Sequence, residues 1–169
     1  ISISGNLSRG SYAFNVNQNG TGPVTLGGAN NQLNMLNING AGAVLNLAAG
    51  SLTTFNSGGG NNLMVSQNAV INGPGAMVLS TGGGENFADN CVSSGKTLTI
   101  NAKLTGATGF EYWNDTRFGT IALLGQNDFT LNVIMNAAGT IAVTNVGNQA
   151  STTSNLGAGS DKPKRALGF

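Results

Sequence analysis

The acidic side chains are the first place to look for chemistry, because two carboxylates placed across a glycosidic bond can cleave it. The sequence puts no two of them on matching positions of a repeat, and it contains no histidine, which is the commonest general base and metal ligand. The acids are Glu85, Asp89, Glu111, Asp115, Asp128 and Asp161. We therefore expect neither an enzyme nor a metal or cofactor site.

Residues 110–118 are rich in aromatic side chains and are the best candidate for a ligand contact. Tyr112, Trp113, Arg117 and Phe118 could form a projecting loop that stacks on a sugar ring or anchors a neighbouring subunit. The alternative is a loop that folds back and covers the flank of the molecule. The sequence leaves both readings open.

The only cluster of charges lies at residues 161–169. Its Lys162, Lys164, Arg165 and Phe169 could contact a neighbouring subunit at the end of the molecule, and the alternative is a solvated basic tail. We therefore divide the chain into a folded domain at 1–160 and a C-terminal segment at 161–169.

Composition excludes several classes of protein. The net charge is +1 and only 8% of residues are charged, which argues against a nucleic-acid partner. No run of 18 apolar residues is present, so no transmembrane helix is predicted. The single cysteine, Cys91, excludes an internal disulfide and is expected to be a small buried residue. The chain opens within a strand-like pattern, so we expect a fragment or a processed product.

Short apolar triplets recur along the chain, and most follow a glycine-containing turn. Their starts are separated by 20, 19, 14, 21, 23 and 20 residues. The triplets begin at Val24, Val44, Leu63, Met77, Leu98, Ile121 and Ile141. This period predicts an all-β fold, a right-handed parallel β-helix of about eight coils with ~20 residues per coil. Residues 33–39 and 129–135 alternate between apolar and polar and predict a second strand in each coil.

The chain contains 27 Gly and 25 Asn, and both residue types suit the corners of such coils. Stacked coils would bring asparagines of successive turns together, so that their amides bond from coil to coil. A shift of 97 residues also places 1–47 on 98–144 without a gap. Val24 then falls on Ile121 and Val44 on Ile141, which preserves apolar character at strand positions.

The run from Gly119 to Thr130, followed by Asn136 to Val143, resembles the autotransporter-associated β-strand repeat. Residues 22–47 are a weaker copy of the same pattern. The resemblance implies a secreted, β-helical passenger region of a large bacterial surface protein, and hence an extracellular or cell-surface location. We expect a structural or adhesive protein that self-associates end to end into a fibre or forms part of a larger adhesin. The alternative is a β-helix that binds or degrades polysaccharide through the aromatic loop.

Overall fold

The computed structural model of the protein describes residues 1–7, 15–55, 63–79, 90–112, 118–130, 133–135, 138–147 and 152–158. The regular secondary structure in these ranges is all β, and every pair of strands is parallel. Within the same ranges, no helix has the length and apolar character needed to cross a bilayer.

The strands stack into three long faces. In chain order they are β1 (Ser2–Ile3), β2 (Asn15–Gln18), β3 (Val24–Leu26), β4 (Asn31–Leu33), β5 (Met35–Ile38), β6 (Ala43–Leu47), β7 (Leu52–Phe55), β8 (Leu63–Val65), β9 (Ala69–Asn72), β10 (Ala76–Leu79), β11 (Asn90–Val92), β12 (Thr97–Ile100), β13 (Lys103–Thr105), β14 (Phe110–Tyr112), β15 (Thr120–Leu123), β16 (Val133–Met135) and β17 (Thr140–Val143). Face A has the order β1-β3-β6-β9-β12-β15-β17, face B has β2-β5-β8-β11 and face C has β4-β7-β10-β13. Strands β14 and β16 form a further pair beside β11.

The chain visits face B, then face A, then face C, and each visit adds a strand to the growing sheet. On face A, Leu45 lies beside Ile71, Ile71 beside Ile100 and Ile100 beside Leu123. These four side chains are at most 2% exposed. They form a continuous aliphatic column inside the coil, as the apolar triplets predicted. The parallel β-solenoid is therefore confirmed, whereas its right-handed coiling stays a prediction.

The predicted number of coils was wrong. The structure has about five turns rather than eight, because the turns in the middle of the chain are longer than ~20 residues. Leu45 and its neighbour Ile71 are 26 residues apart, and Ile71 and Ile100 are 29 apart. The triplets at 63–65 and 77–79 are not successive strands of one face, since they lie on faces B and C. The face A strand between them is β9, which the apolar triplets did not predict.

The predicted second strand at 33–39 is two strands. Leu33 ends β4 on face C and Met35–Ile38 is β5 on face B, so the chain turns a corner at Asn34. Burial nevertheless alternates along β5, because Leu36 and Ile38 point inward between half-buried neighbours. The alternation of apolar and polar residues therefore predicted the inward side of β5 correctly, although it did not predict the corner at Asn34.

Two kinds of glycine shape the corners before face A. Gly95 has a φ of +69°, a left-handed conformation that residues with a Cβ rarely adopt. Gly119 is needed for space, because a Cβ there would lie 2.5 Å from the carbonyl oxygen of Ser93 in the turn below. The first glycine allows the chain to turn the corner from face B to face A, and the second allows two turns to approach closely.

Asparagines on the outer side of the sheets, some exposed and some half-buried, stack from turn to turn, as predicted. On face A, Asn72 Nδ2 donates to Asn46 Oδ1 at 3.2 Å, and Asn101 Nδ2 donates to Asn72 Oδ1 at 2.9 Å. Face B carries two more such bonds, from Asn37 to Asn17 and from Asn39 to Asn19. Neutral amides suit this arrangement because each is both a donor and an acceptor, whereas stacked like charges would repel.

Candidate interaction surfaces

The described part of the aromatic segment, residues 110–112 and 118, exposes one of the two predicted contact side chains that it contains. Tyr112 is fully buried in β14, and its hydroxyl donates a hydrogen bond to the carbonyl oxygen of Gly119 at 2.9 Å. It is therefore closed to stacking on a ligand, and this correction follows from β14 lying inside the coil with all three residues buried. Phe118 is 55% exposed and remains accessible. Trp113 and Arg117 lie outside the described residues.

The other sequence-predicted contact residues are not described. Lys162, Lys164, Arg165 and Phe169 all lie outside the described ranges. The backbone of Cys91 pairs with Met64 in face B, which fixes its register in the sheet but not the burial of its thiol.

A groove with a volume of about 340 Å³ runs along face B. It is lined by residues from three successive turns: Asn37, Asn39, Met64, Val65, Ser66 and Ser93. Inside it, the hydroxyl of Ser66 donates to Asn39 Oδ1 at 3.0 Å. The groove offers amides, hydroxyls and one thioether with no charge, so its chemistry suits a neutral polar ligand.

The two ends of the solenoid expose part of its apolar interior. The buried members of the core are 9% exposed or less, whereas its partly buried members concentrate in the first and last turns. These partly buried residues are Ile3, Leu7, Val24, Met135, Ile141, Val143 and Leu156. Both end layers of the described solenoid therefore present aliphatic side chains that the middle turns cover completely.

Three buried asparagines tie neighbouring segments together through the backbone. Asn31 is fully buried and accepts from the amide of Leu7 in the turn below, at 3.1 Å. Asn127 is 1% exposed, accepts from the amide of Leu104 at 2.7 Å and donates to the carbonyl of Asn155 at 2.7 Å. Each links consecutive turns at the corner that follows face A.

Asn155 closes the last described turn in the same way. Its Oδ1 accepts from the amides of Thr144 and Asn145, at 2.9 and 2.7 Å, and its Nδ2 donates to Gly125 O at 2.9 Å. Sequence reasoning expected asparagines at corners but did not separate these buried ones from the exposed ladders. Their position in the sequence could have distinguished them. Asn31 and Asn127 come directly after a face A strand, and they follow a glycine by three and two residues, respectively.

Charge is sparse on the described surface. Lys103 Nζ lies 2.6 Å from Asp128 Oδ2, and this pair joins two successive turns next to face C. Partial burial alone would raise the pKa of the Asp128 carboxyl, but hydrogen bonds from Lys103, Thr105 and the backbone, together with the positive charge of Lys103, outweigh it and hold that pKa below its usual value. Among the described residues, no three His, Cys, Asp or Glu side chains lie close enough together to hold a metal ion.

No protein-family model, no curated protein and no solved structure matches this chain. The resemblance to the autotransporter-associated β-strand repeat accordingly remains a hypothesis.

Proposed function

We propose that this chain is a structural β-solenoid of an extracellular, bacterial surface assembly, in which copies stack end to end. The observation that carries this proposal is the distribution of exposed aliphatic side chains. The interior column of face A is sealed at Leu45, Ile71 and Ile100, but it is only partly buried at its ends, Val24 and Val143. In the two neighbouring interior columns, Ile3 in the first turn and Ile141 in the last are likewise only partly buried. A second copy stacked on either end would cover these partly buried residues with aliphatic side chains, as the neighbouring turns do in the middle of the rod.

The backbone supports the same geometry. In a parallel sheet, successive residues direct their N–H and C=O groups to opposite neighbours. Thr140 donates to Gly119 in the strand below, so Ile141 and Val143 direct theirs away from β15. A further strand could therefore join β17 through bonds of the kind that already hold the sheet together.

The secreted location is supported by the low charge, the high content of Asn, Thr and Ser, and the resemblance to the autotransporter-associated repeat. A rod whose turns are joined by amide ladders needs no ligand to serve as a spacer or fibre element. Adhesion would then be a property of the assembled rod or of a longer protein that contains it.

The stacking proposal is tested with Ile3→Lys and Ile141→Lys, which place a charge in the first and the last end layer. Each variant keeps one unmodified end. Either variant alone should stay monomeric in sedimentation velocity at concentrations where the parent chain forms linear stacks in electron micrographs. An equimolar mixture should form heterodimers and nothing longer, because only one pair of native ends remains.

Thr54→Lys is the matched control, since Thr54 is a half-buried residue of β7 on the side of the rod. This variant should stack like the parent chain. A parent chain that stays monomeric at every concentration would overturn the proposal, and so would a mixture of the two end variants that does not dimerise.

A second candidate function is binding of an uncharged glycan, and the face B groove favours it. Asn39 and Ser93 supply polar groups to its lining, and Met64 supplies an apolar surface. A glycan array should then give a signal that Asn39→Ala reduces at least tenfold and that Thr54→Ala, on face C, leaves unchanged. The aromatic-loop version of this function predicts instead that Trp113→Ala abolishes the signal.

A further inference from the structure

Face A turns three columns of side chains outward, and none of these side chains is charged. In the central column, backbone pairing puts each residue directly above the last, and size falls along the rod. The column consists of Val44, Val70, Thr99, Ala122 and Ala142. The flanking columns contain Thr25, Asn46, Asn72 and Asn101 on one side and Thr97, Thr120 and Thr140 on the other.

We propose that a second copy of this chain packs on face A with the two rods antiparallel, related by a two-fold axis that passes between the two copies of Thr99. The size gradient carries this arrangement. Reversing one rod places Val44 against Ala142 of the second copy and Val70 against Ala122, so a large side chain always meets a small one. Thr99 meets its own counterpart at the axis, where the two hydroxyls can hydrogen-bond.

A parallel arrangement fits less well. It would press Val44 against Val44 and Val70 against Val70 at one end of the face. At the other end it would leave a gap between facing alanines, Ala122 and Ala142, and cavities of this kind weaken packing. The antiparallel pairing avoids both problems, and it needs no change of backbone, because both copies carry the same strand spacing.

The polar neighbours of the column also tolerate being covered. Asn46, Asn72 and Asn101 already satisfy part of their hydrogen-bonding capacity along the ladder. Covering them therefore costs less than covering free amides. No charged side chain of the three columns would have to be desolvated, which is the usual obstacle to packing one protein surface on another.

The size of the face sets the strength of the contact. Five levels spaced ~4.8 Å apart, and three columns that span five residues of strand, give a patch of roughly 25 by 20 Å. A dimer would bury about 500 Å² on each copy, or ~1,000 Å² in total, which is at the lower limit for a specific interface. We therefore expect a weak dimer that forms at high protein concentration. This contact is separate from end-to-end stacking and does not depend on it.

The test uses thiol cross-linking in a Cys91→Ser background that also carries Ile141→Lys, so that rod ends cannot associate. Thr99→Cys should be linked into dimers by a short bis-maleimide that spans about one sheet spacing, ~10 Å. Val44→Cys should not link to itself, because two copies of residue 44 would lie ~19 Å apart along the antiparallel rods. A mixture of Val44→Cys with Ala142→Cys should give a mixed dimer.

Thr54→Cys on face C is the matched control and should cross-link at least tenfold more slowly than Thr99→Cys. Thr99→Lys should abolish the dimer seen by sedimentation, whereas Thr54→Lys should preserve it. Self-linking of Val44→Cys at the rate of Thr99→Cys would overturn the antiparallel arrangement. Equal rates for Thr99→Cys and Thr54→Cys, or a chain that stays monomeric at high concentration, would overturn the interface itself.

Discussion

Asparagine has two different roles in this solenoid. Some asparagines form ladders on the outer surface, whereas others are buried at corners and bond the backbone of neighbouring turns. Asn46, Asn72 and Asn101 form a side-chain ladder on the outer surface of face A. Asn127 and Asn155 lie inside the molecule and bond the backbone of neighbouring segments. The first group can exchange its partners for water, and the second cannot.

The difference teaches that the interior corner, rather than the outer face, is where the stack is most vulnerable. A buried amide that is removed leaves backbone groups without partners, and each such group costs about 1–3 kcal/mol. A ladder amide that is removed leaves its neighbours free to bond solvent, so that only the net worth of the hydrogen bond, roughly 0.5–1.5 kcal/mol, is at stake. The same substitution should therefore have very different effects at the two kinds of site.

The largest effect is expected for Asn127→Ala. This change deprives the amide of Leu104 and the carbonyl of Asn155 of their partners, and both bonds are buried. We expect a loss of about 2–5 kcal/mol in the free energy of unfolding, measured by chemical denaturation. Asn127→Asp should restore only part of this, because a carboxylate can accept from Leu104 but cannot donate to Asn155. A loss below 1 kcal/mol would contradict the view that the buried corner is critical.

A smaller effect is expected for Asn72→Ala, which removes the middle of the ladder. Its two bonds, to Asn46 and from Asn101, are made by side chains at the surface. We expect a loss of about 0.5–1.5 kcal/mol in the same measurement, with no change in the shape of the unfolding curve. Equal losses for Asn72→Ala and Asn127→Ala would erase the distinction between ladder and corner.

The sequence predicted the aliphatic columns well, since they depend on local alternation. The triplets at Val24 and Ile121, which the 97-residue shift superimposed, both lie on face A. It missed β9, because Ala69 follows no glycine and Leu63 offered a stronger apolar triplet nearby. Turn length is set by corners, and corners can absorb extra residues without disturbing the strands that they connect. The spacing of apolar residues therefore predicts the positions of strands more reliably than it predicts the number of coils.

The candidate surfaces were harder to predict than the fold. Tyr112 looked like a ligand contact because aromatic residues cluster around it, yet β14 buries it. The buried role of Asn127 was equally hidden among 25 asparagines, since burial is decided by the geometry of the corner. The outer columns of face A became visible only once the register was known, because Val44 and Ala142 are nearly one hundred residues apart in sequence.

The smallest effect is expected at the ion pair between Lys103 and Asp128, which joins two turns as a ladder amide does but through charge. The two side chains are 44% and 31% exposed, so solvent screens the pair, and Lys103→Ala should cost no more than ~0.5 kcal/mol at neutral pH. Because the folded state lowers the pKa of Asp128, the contribution is fully present above the usual value of 3.8. It should disappear as the pH falls through the lower pKa of the folded chain.

The stability difference between the parent chain and Asn72→Ala should stay constant over the same range, since amides do not titrate. A pH-independent effect of Lys103→Ala, followed by denaturation at several pH values, would show that Lys103 acts through the packing of its aliphatic stem rather than through its charge.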